Sequence, residues 1–209
     1  MEDHYFTLNG TASGEITEKK SRFICTLSHV PDEDSAVSFI NSIRKKYYDA
    51  RHNCSAYILG DRLETTRSSD DGEPSGTAGR PMTDVLAGNR LSYTAAVVTR
   101  YFGGTLLGTG GLIRAYSQAV KEALECAELV KMIRAVRFRT EVGYNDLNMI
   151  MKVISTEQIR QLSSDYGENI VFVFQVPEAS FEAVSKKLTE ATLGRAGITV
   201  IDKGFFPDS

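Results

Sequence analysis

Two periodicities alternate along the first half of the chain. In EITEKKSRFICTLSHV, Glu15 to Val30, polar and basic residues interleave with Phe23, Cys25 and Leu27, the period of a half-buried strand. Pro31-Asp32 then opens a predicted helix with acidic residues in its first turn and Arg44, Lys45 and Lys46 in its last, a charge order that suits the helix dipole. Val37, Ile40, Ile43 and Tyr47 form its apolar stripe. CSAYILG predicts a second strand. A polar run follows, and then SDDGEPSGTAGRP, Ser69 to Pro81, too polar and glycine-rich for core. YTAAVVTRYF is the clearest strand, being β-branched and aromatic. It runs into GGTLLGTGG and a helix that places Leu112, Ile113, Tyr116, Val120, Ala123, Leu124 and Ala127 on one broad face.

From about Lys131 the rhythm changes. The pattern predicts a strand (IRAVRFRTEV), a helix (Asn145 to Ile154), a strand (EQIRQLS), a turn (DYGEN), a strand (IVFVFQV), a helix (Phe181 to Leu193) and a strand (GITVID). This βαββαβ order is the ferredoxin-like, split-βαβ pattern, with Phe181, Val184 and Leu188 on the buried side of its second helix. The fold class expected is α+β, with an α/β domain over residues 1–133 and a ferredoxin-like domain over 134–209.

Composition narrows the function classes. The 209 residues are 42% hydrophobic and 24% charged, as in an ordinary globular protein. The apolar runs are too short to span a bilayer, and the N-terminus lacks a basic start followed by an apolar stretch, so neither membrane insertion nor a signal peptide is expected. Three widely separated cysteines suggest reduced thiols in a cytoplasm, and with three scattered histidines they predict no metal site. No cofactor is expected. A net charge of −3, with neither half of the chain strongly basic, confines any RNA contact to a local patch.

Two segments carry candidate chemistry. The glycine turn, with Gly103, Gly104, Gly108, Gly110 and Gly111, lies between a strand and a helix, where backbone amides can hold an anion. It is neither a Walker A loop nor a complete dinucleotide fingerprint, since Ile113 stands where the third glycine would fall. Arg100 and Arg114 flank it, both expected to be solvent-accessible and to bind phosphate. A salt bridge to Asp70, Asp71 or Glu73 is the alternative use of these arginines. In the polar loop, Asp70, Asp71, Glu73, Ser75, Thr77 and Arg80 are read as a gripping segment that folds against the glycine turn, its carboxylates orienting the arginines. The acidic residues lack EF-hand spacing but could hold a divalent ion. His52 is the one base that could activate a hydroxyl there, or pair with Cys54 on the same strand face, although no triad spacing is present.

SDDGEPSGTAGRP followed by VVTRYFGGTLLGTGGLIRAYS resembles the signature of the Impact/YigZ family of cytosolic proteins, with KKSRFI and RHNCSAY in the same pattern. The resemblance covers the first domain from about Gly14, and the second domain is similar to that of the shorter bacterial members. It implies an N-terminal domain similar to the βαβ fold of a small-subunit ribosomal protein, elongation factor G and several small-metabolite kinases. It also implies a C-terminal domain similar to the last domain of elongation factor G. Eukaryotic Impact proteins restrain a translation-factor kinase with the help of a further N-terminal domain, which this chain is expected to lack. The function expected is a non-enzymatic partner of RNA, the ribosome or a translation factor. The alternative is an enzyme or sensor for a phosphorylated small molecule held at the glycine turn.

Overall fold

The structure, a computed structural model, describes residues 4–208. It divides into two compact units, Tyr5–Met132 and, with His4, Ile133–Asp208. In the N-terminal unit, β2 (Thr11–Glu18), β3 (Ser21–His29), β6 (Thr94–Tyr101), β4 (His52–Leu59) and β5 (Thr65–Ser69) lie side by side in that order, every neighbouring pair antiparallel. A further strand, β1 (His4–Leu8), pairs with β7 (Leu129–Val142), whose first four residues belong to this unit.

The first strand reading is corrected. Residues 15–30 form a hairpin, because Lys19 and Lys20 both take positive φ (46° and 67°) and close a tight two-residue turn that sets Glu18 opposite Ser21. Lysine is an unusual choice for such a turn, which favours Asn-Gly. α1 (Glu33–Lys46) starts where expected, its N-cap Asp32 accepting the Ser35 N–H at 2.7 Å. It packs Ala36, Ile40 and Ile43 on one face of the sheet against Tyr57, Leu59, Ala95 and Val97. Val37 departs from the expected stripe and is 46% exposed.

The opposite face carries α2 (Gly79–Gly88) and α3 (Thr109–Glu125) over Phe23, Cys25, Leu27, Cys54, Ala56 and Val98. α2 begins inside the segment read as loop, two residues before Pro81, since proline is tolerated in a first turn. α3 lies directly on the β2 backbone: a β-carbon at Gly14 would sit 2.4 Å from the Ala123 nitrogen. Ile113, assigned to the buried face of α3, is exposed.

In the C-terminal unit, β7, α4 (Leu147–Thr156), β8 (Arg160–Tyr166), β9 (Ile170–Pro177), α5 (Glu178–Ala191) and β10 (Gly197–Pro207) follow in the expected βαββαβ order, giving an α+β chain. The sheet runs β10-β7-β9-β8. A 3-10 turn, Tyr144–Asp146, delays α4 by two residues, and residues 157–159 lie between α4 and β8 rather than in the strand. Val184 and Leu188 are buried as expected and Phe181 packs at the margin, in a core that includes Phe138, Phe172 and Phe174. With Phe138, Thr140 and Val142 turned inward, the alternate residues Arg137, Arg139 and Glu141 mark the other face of the sheet. There the Arg137 guanidinium stacks on Phe206, 3.8 Å from the ring centroid.

Candidate functional site

Arg100, the last residue but one of β6, points to the face where α3 packs. Strand alternation puts it with Val98 and Ala96, in register with Phe23 and His52 on the neighbouring strands. Its expected accessibility is corrected: Arg100 is 6% exposed, and its guanidinium donates to Glu73 Oε1 at 2.6 Å. Glu73 is itself 8% exposed, and the same oxygen accepts the Tyr116 hydroxyl at 2.8 Å. The guanidinium also lies over the Phe23 and Phe102 rings, at 5.3 and 5.6 Å. Its Nε is buried with no hydrogen-bond partner. Thus β6, the polar segment and α3 are tied at one point by a buried ion pair. Partner removal at such a pair is costly, because the remaining charge stays in a poorly solvated place.

The carboxylates of the polar segment are committed to protein groups. Asp70 accepts three backbone N–H groups, from Gly76 at 2.8 Å, Ala78 at 3.0 Å and Gly79 at 2.8 Å. Burial works against its charge, but these three bonds outweigh that and hold its carboxyl below the ordinary range. The start of α2 is thereby occupied by the chain's own anion. Asp71 accepts the Asn53 N–H at 2.7 Å and pairs with Arg44 at 3.3 Å, so it joins β4 to α1. Among the described residues no group of three or more His, Cys, Asp or Glu side chains could hold a metal ion. Thr77 is buried and donates to the Pro74 carbonyl, whereas Ser75 and Arg80 are exposed.

The Cys–His pairing does not form. The His52 ring meets the Asp71 carbonyl at 2.8 Å. The Cys54 thiol faces the Asp70 carbonyl and the Tyr116 hydroxyl. Burial pushes that thiol up to about 12, so it stays protonated at neutral pH and is no nucleophile.

What remains open to solvent is the glycine turn. Gly103 fits closely against the lysine hairpin: a β-carbon there would lie 2.0 Å from the Lys20 carbonyl carbon, and its N–H donates to the Ser21 hydroxyl at 3.1 Å. Only glycine permits this approach. Gly104, Gly108 and Gly110 are exposed and Gly111 half-buried. Gly108, the N-cap of α3, offers no side chain to the first N–H groups of the helix. Arg114 lies in the second turn of α3, and its guanidinium folds back: a β-carbon at Gly110 would be 3.7 Å from one of its nitrogens. Phe102 and Leu106 are exposed beside these groups, 45% and 82%. Reading the sequence missed the lysine turn, whose signal was the KKS break inside an alternating run.

The glycine turn thus has an uncapped helix start, the folded-back Arg114 guanidinium and exposed apolar side chains, with the backbone of the exposed Lys19–Lys20 turn against Gly103. The second unit has Arg137, Arg139 and half-buried Arg160 on a sheet surface of its own, where Arg139 pairs with Glu141 at 2.8 Å, Arg137 donates to Gln175 and Arg160 to the Pro207 carbonyl. Each arrangement can hold anions and stack flat groups.

Residues 19–124 match the model of the Impact N-terminal domain, and residues 140–195 match a domain of unknown function, DUF1949. The chain is 44% identical to IMPACT family member YvyE of Bacillus subtilis, over 93% of this chain and 89% of that one. It is 35% identical to IMPACT family member YigZ of Escherichia coli, over 88% and 92%. A crystal structure of a hypothetical protein, 32% identical, superposes with a TM-score of 0.60 over 97% of this chain and 99% of that one. With half of its length matched by the Impact domain and close relatives aligned almost end to end, the chain belongs to the IMPACT family.

Proposed function

We propose that this protein is a non-enzymatic, cytoplasmic RNA-binding accessory of translation that grips phosphate groups at the glycine turn. The observation that carries the reading is the uncapped start of α3, with the Arg114 guanidinium folded back beside Gly110 and the exposed Lys19–Lys20 turn packed by its backbone against Gly103. Positive φ at two lysines is a costly way to close a hairpin, and both lysines are exposed. Helix N–H groups and cations together favour phosphate. Phe102 beside them offers a ring on which a base can stack, and the C-terminal sheet offers Arg137, Arg139 and Arg160 as further phosphate contacts.

The test is binding of the full chain to purified ribosomes and to a labelled single-stranded RNA at several salt concentrations. Affinity should fall steeply with salt, and Arg114→Ala should lower the salt slope by about one unit. The Lys19→Ala/Lys20→Ala pair should lower it by about two. Unchanged slopes in both variants would refute the reading. Saturable one-to-one binding of a phosphorylated metabolite, with no response to RNA, would replace it with a small-molecule sensor.

A further inference from the structure

The α1 face of the N-terminal sheet is not fully roofed. α1 covers β4 and β6, while β5 lies beyond it at the sheet's edge. Between them is a cleft of about 270 Å³. On its floor Ser55 faces Ser69 and Tyr57 faces Arg67 across the β4–β5 pairing. Arg44, Ile40 and the exposed Val37 line its α1 side.

We propose that this cleft binds a small oxyanion, a phosphate monoester or a carboxylate, carried on a short apolar stem. Two guanidinium groups line it and no carboxylate does. Arg67 donates only to the neighbouring Thr66 carbonyl and has no ion pair among the described residues. Arg44 pairs with Asp71 Oδ1 at 3.3 Å, while Asp71 Oδ2 accepts the Asn53 N–H. The Arg67 charge at the cleft therefore has no ion-pair partner among the described residues. An oxyanion supplies that counter-charge. The Ser55 and Ser69 hydroxyls add neutral hydrogen-bonding groups, as oxyanion sites commonly have. Val37, on a helix stripe yet uncovered, and Ile40 give the stem an apolar surface. The volume is below the roughly 300–1,000 Å³ of drug-sized ligand sites, which suits a small metabolite better than a nucleotide. The site lies on the sheet face opposite α3 and does not depend on the glycine turn.

Amide chemical shifts of the isotopically labelled full chain, titrated with inorganic phosphate, n-butyl phosphate and butyrate, test this. One of the butyl probes should move the Ser55, Arg67 and Ser69 amides and bind about tenfold more tightly than inorganic phosphate, through its stem. Whichever butyl probe binds better identifies the oxyanion. Arg67→Ala should weaken binding at least about tenfold. Val37→Asp should remove the advantage of the stem; both positions are exposed, so both variants should fold. The proposal is overturned if neither butyl probe moves these amides at about 10 mM. It is equally overturned if Arg67→Ala binds like the parent.

Discussion

Replacing Glu73 is the sharpest test of how the signature segment is held. The carboxylate is 8% exposed and accepts both the Arg100 guanidinium, at 2.6 Å, and the Tyr116 hydroxyl, at 2.8 Å. Glu73→Ala leaves a cation that is 6% exposed without its counter-charge and strands a buried hydroxyl. Breaking a buried pair in this way costs about 3–5 kcal/mol. Glu73→Gln keeps the shape and an acceptor oxygen but loses the charge, so its two hydrogen bonds each weaken by about 1 kcal/mol, about 2 kcal/mol in all. For a unit of roughly 130 residues, an unfolding entropy near 2.1 cal/mol/K per residue converts each kcal/mol to about 3–4 °C. Scanning calorimetry of the full chain should therefore show one transition about 10–18 °C lower in Glu73→Ala and about 7 °C lower in Glu73→Gln. Glu73→Leu combined with Arg100→Met should recover most of the loss, because apolar residues of similar volume remove both desolvation penalties. A cost below about 1 kcal/mol in Glu73→Ala would mean the pair behaves like an exposed one, and the reasoning would fail.

Three further outcomes are expected. Gly103→Ala forces a carbon 2.0 Å from the Lys20 carbonyl, so the lysine hairpin must shift, and RNA affinity should fall with little change in the C-terminal unit by amide exchange. Of the three thiols, only exposed Cys126 should react promptly with a disulfide reagent in the folded chain, with Cys25 and Cys54 reacting only after unfolding. Asp70 has a depressed carboxyl pKa, so its stabilisation is complete above the unfolded value near 3.9 and is lost as pH falls through the lower native value. Acid unfolding of Asp70→Asn should therefore be less steep than that of the parent below about pH 4, and an equal slope would count against the Asp70 clamp.

Elements with a strong period were legible in the sequence, because one-sided burial writes itself into spacing. α1, α3 and the whole βαββαβ run are of this kind, with boundaries moved by a few residues. β5, with the composition TTRSS, carries no apolar signal because it is an exposed edge. α2 hides in GRPMTDVLAG behind glycines and a proline that read as loop. The lysine turn escaped because lysine rarely adopts positive φ, and its reason lies in Gly103, more than eighty residues away. Arg100 was placed at the right spot and given the wrong surroundings. An arginine closing the run TAAVVTRY signals a buried partner, but choosing Glu73 among three neighbouring carboxylates needs the loop's path in space.

The strand order has a consequence for synthesis. β6 lies between β3 and β4 in the sheet but follows both in the chain, and Cys25 waits about seventy residues for its partner Val98. The β2–β3 and β4–β5 hairpins can close within roughly microseconds of emerging. Each then keeps one bare edge of core-forming residues until β6 arrives. At about 5–20 residues per second, the forty or so residues between the end of β4 and the end of β6 take roughly 2–8 seconds to translate. For that interval the two hairpins are half-sheets with matching open edges, able to pair wrongly with each other or with a neighbouring nascent chain. β6 is the closing strand of a zipper, and its late arrival makes the N-terminal unit the aggregation-exposed part of the molecule during its own manufacture.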